Sequence, residues 1–424
     1  MEITPWNPIL RIAFRFFFLF FSLIIVFVNN GAYPFWEQLM TYPNELLHSF
    51  IPWLGDHVLK LKQPIETFTN GSGDTTYDWI LLLVLFCSSL LGCFIWTLID
   101  RKRLHYRNLY YWLTVAIRIY LGLMLISYGM VKIFKLQFPA PGLYRLTQAY
   151  GDSSPMGLAW TFLGFSKGYN YFMGIAEVLA CFLLFRRTMT LAAIITLMTT
   201  LNVMAVNYFY DVPVKILSTT LVSMTLFLLI YNAKELFNFF LGNKYEKLSL
   251  IEKPNVSFKH FNKICATLKY LVLFYALGYN GYECYNQLKI YGDDAPPHKL
   301  YGGFEVEKFI SNNDTLSNDR DTSAWKMIYF PYDWAARIKT ENNKMLRYNM
   351  QYDTLQNTMK LILQSDTTQQ CFFKYKQISN GLLLSGNKDQ DSIMIKLKMV
   401  IKDNNDFLLM NRGFHWINET PFNR

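Results

Sequence analysis

Two ionisable residues lie inside long apolar runs of the sequence, where charge is costly and usually functional. Arg118 lies about nine residues from one end of its run, and Glu177 about nine residues from the matching end of the following run. Because a helix rises about 1.5 Å per residue, both side chains are predicted at equal depth on antiparallel neighbouring helices. We therefore predict an Arg118–Glu177 ion pair, which is either a packing contact or a proton or substrate site.

A second group of polar residues is predicted at the opposite ends of these helices, at the outer mouth of a bundle. Its members are Asp74, Lys132, Asn202, Asn207, Asp211 and Lys215. Asp211 suits a helix N-terminus, where the dipole favours negative charge, and it can compensate Lys215 four residues later. The group forms either a polar binding site or the caps of tight turns. The glycine-rich loop that contains Asp74 fits a flexible turn better than an anion cradle.

Familiar cofactor motifs are not found in the sequence. The six histidines lack the spacing of haem pairs and of an HExxH zinc site, and no phosphate-loop or dinucleotide fingerprint occurs. The six cysteines form no CxxC pair; Cys284 and Cys371 either form a disulfide or are buried thiols. No haem, zinc or other metal, or nucleotide is therefore predicted, and catalytic residues stay unassigned.

The composition is typical of a membrane protein with one soluble part. Hydrophobic residues make up 52% of the 424 residues and charged residues only 17%, against about 25% in soluble domains. Runs of about 20 apolar residues can cross a bilayer as helices. Such runs predict about seven transmembrane helices, at 9–28, 77–99, 109–134, 169–185, 189–208, 214–231 and 267–288. The broken run 43–61 predicts an interfacial helix on the outer face.

The basic residues predict the orientation of the chain. With seven spans, four basic clusters fall on one side of the membrane, which is then cytoplasmic. The clusters are Arg11 and Arg15; Arg101, Lys102, Arg103 and Arg107; Arg186 and Arg187; and Lys244, Lys247, Lys253 and Lys259. The N-terminus is thus predicted to be cytoplasmic and the C-terminal domain extracytoplasmic. These clusters account for the net charge of +10, so we predict no nucleic-acid binding.

The end of the chain predicts a mainly β soluble domain. Apolar and polar residues alternate over 393–401, and shorter strands are predicted around 326–330, 359–363 and 372–375. The long connection 135–168 is predicted to fold back over the outer mouth of the bundle. The predicted domains are N-terminal helices with an outer-face loop at 1–108, a four-helix core at 109–232, a basic linker with the last span at 233–290, and the β-rich domain at 291–424.

Several stretches of the core carry a family resemblance. They are Arg118-Ile-Tyr-Leu-Gly-Leu, Tyr128-Gly129, Lys132-Ile-Phe134, Gly174-Ile-Ala-Glu177, Leu184-Phe-Arg186-Arg187, Asn202, Asn207 and Tyr210-Asp-Val-Pro-Val-Lys215. In this order they resemble the DoxX family, in particular its long bacterial members. The resemblance implies a multi-pass protein of the bacterial cytoplasmic (inner) membrane with a compact four-helix core and a periplasmic C-terminal domain. Some members of that family are associated with quinone-linked oxidation and others with oxidative-stress complexes.

Two functions follow from these observations, and a small-solute transporter ranks third because no pair of broken helices supports it. In the favoured hypothesis the helices anchor the β-rich domain in the lipid bilayer, and residues 291–424 dock an envelope protein as part of a membrane complex. In the alternative, a quinone or small oxyanion binds near Lys132, Asn207, Asp211 and Lys215, with Arg118 and Glu177 relaying protons. Whether the protein is an enzyme stays open.

Overall fold

In the computed structural model, the protein forms two compact units. The structure describes residues 5–67, 71–242, 247–256, 258–311, 314–315, 324–388 and 391–423. The helical unit comprises Met1–Gln137 and Lys167–Asn286, and the β unit comprises Phe138–Ser166 and Gln287–Arg424. The chain therefore passes between the two units three times.

The helices are numbered in chain order. They are α1 Pro8–Phe27, α2 Trp36–Leu39, α3 Thr41–His57, α4 Thr76–Ile99, α5 Arg107–Ile133, α6 Leu143–Leu146, α7 Pro155–Phe165, α8 Lys167–Val178, α9 Met189–Phe209, α10 Lys215–Ile230, α11 Ala233–Phe240, α12 Phe261–Phe274, α13 Asn280–Ile290 and α14 Leu408–Asn411. A 3₁₀ segment, Leu179–Leu184, continues α8, and a π turn, Tyr275–Tyr279, joins α12 to α13.

Within the described residues, four helices are long and apolar enough to cross a membrane, namely α1, α4, α5 and α9. A fifth span results if α10 and α11, which bend by 80° at their junction, are counted together. The outward face of α4 carries exposed apolar side chains such as Leu83, Leu91 and Phe94. A face of this kind matches hydrocarbon, because all backbone polar groups of a helix are satisfied internally.

The apolar helical unit expected from the sequence is thus found, with helices that could cross a membrane, while the count of seven spans stays a prediction. The predicted fourth span consists of α8, only 12 residues long, and the six-residue 3₁₀ segment. The predicted seventh span is the helix α12–α13, which the π turn interrupts. Broken segments of this kind cannot be distinguished from straight helices by apolar composition alone.

Aromatic side chains fill the core of the helical unit. Phe14 of α1 stacks on Tyr106, which precedes α5, with ring centroids 5.3 Å apart, and Phe21 contacts Phe227 of α10 at 5.4 Å. Arg15 is buried beside them and donates to the Tyr106 hydroxyl at 2.8 Å. The sequence predicted Arg15 only as part of a flanking basic cluster, whereas the structure buries its side chain.

The four basic clusters meet at one end of the helical unit. Lys244 of the fourth cluster lies outside the described residues. Contacts link the first cluster to the second, and the second and third to the segment that carries the fourth. These contacts are Arg11 Nη1 to the Arg103 carbonyl at 2.9 Å, Arg107 Nη1 to Glu252 Oε2 at 4.0 Å, and Arg186 Nη1 to the Ile251 carbonyl at 3.4 Å. The predicted orientation requires the four basic clusters to lie at the same end of the helical unit.

The β unit is built on an antiparallel barrel. Its strands are β1 Gly302–Ser311, β2 Asp314–Thr315, β3 Trp325–Tyr332, β4 Ala335–Thr340, β5 Met345–Asp353, β6 Thr358–Leu363, β7 Gln370–Ile378, β8 Gly381–Lys388 and β9 Asp391–Ile401. Neighbouring strands pair in chain order, except that β3 pairs with β1, and β9 pairs with β1 to close eight strands into a barrel. Strand β2 extends the sheet beside β1.

The barrel interior is packed with apolar side chains. Along β9, Ile393, Ile395 and Leu397 are buried while the residues between them are exposed, as the alternating pattern predicted. The ring of Trp325 lies 6.2 Å from that of Phe373 across the interior. The prediction of a mainly β domain is confirmed, and all four predicted strand segments fall inside observed strands.

The segment Phe138–Ser166 belongs to the same unit as the barrel. Leu143 of α6 is buried against Tyr329 and Ile401 on the outside of the barrel, and the Thr147 and Tyr329 hydroxyls are 2.8 Å apart. The sequence did not reveal this association, because the segment has no strand pattern of its own. That the connection 135–168 folds back over the outer mouth of the bundle stays a prediction from the sequence.

Candidate functional site

A buried ion pair lies at the contact of α5 with α8 in the helical unit. Lys132 Nζ is 2.8 Å from both carboxylate oxygens of Glu177. The two residues are only 5% and 2% exposed, so the ion pair is shielded from solvent. Lys132 Nζ also lies 5.6 Å from the centre of the Tyr128 ring, whose hydroxyl accepts a hydrogen bond from Asn30 at 2.9 Å.

The predicted Arg118–Glu177 ion pair is wrong in its cation. Arg118 is buried, but its Nε donates to the carbonyl of Leu183 at 2.5 Å. The prediction assumed that the two helices start and end at the same depth. Instead, Arg118, roughly three turns after the start of α5 at Arg107, lies beside Leu183, almost at the end of its helical segment. Glu177 therefore lies beside a later part of α5, within reach of Lys132.

Two glycines bring α5 and α8 close together beside this pair. A Cβ atom on Gly129 would lie 2.7 Å from the carbonyl oxygen of Gly174, and one on Gly174 would lie 2.6 Å from that of Gly129. Small residues permit such close approach of membrane helices. Lys132 and Glu177 each follow one of these glycines by three residues, and this shared spacing is a signal from which the correct pair could have been predicted.

The predicted outer-mouth group is partly assembled, at the N-terminus of α10. The carboxylate of Asp74 accepts the backbone N–H groups of Lys215 at 2.7 Å and Ile216 at 2.9 Å. Lys215 Nζ lies 3.0 Å from Asp211 and 3.7 Å from Asp74. The carboxylate of Asp74 thus satisfies backbone donors at a helix N-terminus, where negative charge is favourable.

The other predicted members of this group have different positions. Asn207 is buried and its side-chain amide donates to the Val214 carbonyl at 3.3 Å, which fixes the turn between α9 and α10. Asn202 is exposed on α9. Lys132 forms the buried pair with Glu177. The structure therefore joins Asp74, Asn207, Asp211 and Lys215 as turn and helix-capping residues.

One comparison with known proteins identifies a relative. No family model and no solved structure matches the chain. A protein of Bacillus subtilis (strain 168), named Uncharacterized protein YwoB, is 36% identical over 115 residues, which are 26% of this chain and 71% of YwoB. The chain belongs to the YwoB family. The name of YwoB states no activity.

The chemistry available at these positions is electrostatic. Glu177 is neutralised by Lys132, and Asp74 is held by the first turn of α10. A buried ion pair with both partners in place fixes the geometry of the helices that carry it, and loss of either partner leaves an uncompensated charge. The sequence left Cys284 as either a disulfide partner of Cys371 or a buried thiol; in the structure it is a buried free thiol.

Proposed function

We propose that this protein is a DoxX-like membrane anchor of the bacterial envelope. The helical unit holds the chain in the inner membrane, and the β unit docks a protein partner as an accessory part of a membrane complex. The observation that carries the proposal is that Glu177, the most deeply buried acid among the described residues of the helical unit, is neutralised by Lys132 between α5 and α8.

The chain connectivity supports a role for this pair in the anchor. Helix α5 ends at Ile133, shortly before the segment Phe138–Ser166, and α8 begins directly after that segment. The Lys132–Glu177 pair therefore joins the two helices between which this part of the β unit is inserted. An ion pair between these two helices holds them together on either side of the inserted segment.

The orientation that we propose is cytoplasmic for the N-terminus and periplasmic for the β unit. All four basic clusters meet at one end of the helical unit, as cytoplasmic loops do. Helix α12–α13 runs from that end to the C-terminal end of α5, where Tyr285 lies against Phe134. The chain therefore leaves the helical unit at the end opposite the basic clusters.

The docking role is tested by site-specific photo-crosslinking of the full chain in its native membrane. A photoreactive residue is placed at Phe372, which is exposed on the outside of the barrel, or at Lys102 among the basic residues. We expect an adduct with an envelope protein from position 372 alone, and its loss when the exposed Leu355 is replaced by Glu in a chain that still folds. Adducts from position 102 alone would contradict the proposal.

A quinone-linked function is the second candidate, supported by the presence of an acid, Glu177, beside the aromatic Tyr128 within the helical unit. A small oxyanion at the N-terminus of α10 has less support, because Asp74 already binds the backbone donors there. The variant Glu177→Gln distinguishes the two candidate functions. If the protein is an anchor, this variant lowers only the stability of the fold. If it is a quinone-linked subunit, the variant abolishes quinone reduction although the chain remains folded.

A further inference from the structure

A cleft of about 520 Å³ lies within the β unit, between the inserted segment and the barrel. Residues from the α6–α7 region, including Gln148 and Ser154, line one side, and residues of β4 and β5 line the other.

The cleft is strongly basic. Four cationic side chains line it, Arg145, Arg337, Lys339 and Arg347, against a single carboxylate, that of Asp152. Within the part of the chain that the structure describes, none of the four forms an ion pair with an acidic group. The site therefore carries an excess of positive charge that the described protein groups do not neutralise.

The arrangement on the barrel concentrates this charge. Arg337 of β4 and Arg347 of β5 are direct cross-strand neighbours, a like-charge pairing that destabilises a sheet. Lys339 is two residues from Arg337 and so points from the same face of β4. A compensating anion would convert this repulsion into attraction.

The Arg337 guanidinium is held inside the cleft. Its central carbon lies 6.0 Å from the Tyr144 ring, and that of Arg145 lies 5.7 Å from the same ring. The Nη1 atom of Arg337 is buried and has no hydrogen-bond acceptor in the described structure. Burial, followed by the proximity of Arg347, lowers the pKa of Arg337 below its usual value, and a bound anion would oppose both effects.

We propose that this cleft binds a multiply charged oxyanion of the phosphate class. Guanidinium groups present forked donors that match phosphate oxygens, and Lys339 adds a further charge. Ser154, at the cleft wall, is the N-cap of α7, so the positive end of that helix also faces this region. The phosphate group belongs either to a soluble ion or to a lipid headgroup.

The test is calorimetric titration of the full chain in nanodiscs of neutral lipid. Inorganic phosphate is one probe and the water-soluble dihexanoyl phosphatidic acid is the other, with dihexanoyl phosphatidylcholine, a zwitterion without net charge, as the control. We expect saturable binding of at least one phosphate probe. Preference for inorganic phosphate assigns a soluble ion, and preference for phosphatidic acid assigns a lipid headgroup.

The variants Arg347→Gln and Lys339→Gln remove cleft charges at residues that are not fully buried, so the fold should tolerate them. Each should weaken binding by about tenfold or more. Lys376→Gln removes the same charge from an exposed site on β7 and should leave affinity unchanged. Absence of saturable phosphate binding, or equal loss in Lys376→Gln, would overturn the proposal.

Discussion

The Lys132–Glu177 ion pair neutralises two charged side chains that are buried inside the helical unit. Replacing Lys132 by Met should destabilise the protein by about 3–5 kcal/mol, because Glu177 would remain charged and unpaired in a buried site. The double variant Lys132→Met with Glu177→Leu should recover most of that loss, since no buried charge remains. Reversible unfolding by SDS in mixed micelles measures both values. A double variant as unstable as the single one would show that the pair is not the stabilising unit.

His298 of the β unit makes stability depend on pH. Its Nε2 donates to the Phe330 carbonyl at 3.0 Å, and its Nδ1 accepts the Leu300 N–H at 3.4 Å, an arrangement that requires the neutral ring. Burial is the main reason that the pKa of His298 is lowered from its usual 6.5. The folded protein therefore binds fewer protons than the unfolded chain as the pH falls below about 6.5, and stability should decrease.

The check is the melting temperature of the β unit in the full chain, followed by near-ultraviolet circular dichroism between pH 7.5 and pH 5.5. Glu307 and Asp366 have lowered carboxyl pKa values, so they remain ionised in this range. His298→Gln should flatten the dependence, because Gln does not titrate. An unchanged slope in that variant would assign the pH effect to another group.

At the scale of elements, the contact of α5 with α8 depends on Gly129 and Gly174. Gly174→Ala would place a methyl group 2.6 Å from the Gly129 carbonyl oxygen, so the helices must separate. We expect a loss of about 1–3 kcal/mol in unfolding free energy. Gly281→Ala in α13 meets no atom within 4 Å and should be neutral or slightly stabilising. Similar losses of unfolding free energy in the two variants would show that the contact between Gly129 and Gly174 has no special role.

The loop before α4 and the start of α10 are joined by Asp74. Asp74→Ala should cost about 1–2 kcal/mol, because two backbone N–H groups of α10 lose their acceptor. Asp211→Asn removes a carboxylate that is mostly exposed and keeps a residue type that tolerates the positive φ of this position, so it should cost less than about 0.5 kcal/mol. Thermal unfolding in detergent compares the two variants. If Asp211→Asn were the more damaging change, the capping role of Asp74 would be wrong.

Sequence periodicity predicted the elements better than their contacts. The alternation around Ile395 identified a half-buried strand, and the long runs of α1 and α4 identified membrane-length helices, because both patterns report local burial. The partner of Glu177 was missed because helix register depends on packing at Gly129 and Gly174, which counting from helix ends does not detect. The cleft at Arg337 was missed because it joins a segment and strands that lie far apart in the sequence.

At the scale of the whole molecule, the β unit and the basic clusters are proposed to lie on opposite sides of one membrane. Single cysteines at the exposed positions Thr367, in the β unit, and Lys102, among the basic residues, report on the two sides. The measurement is labelling of these cysteine variants by a membrane-impermeant maleimide in intact spheroplasts and after lysis. We expect Thr367→Cys to be labelled in intact spheroplasts and Lys102→Cys only after lysis. Labelling of Lys102→Cys in intact spheroplasts, with Thr367→Cys protected, would contradict the account.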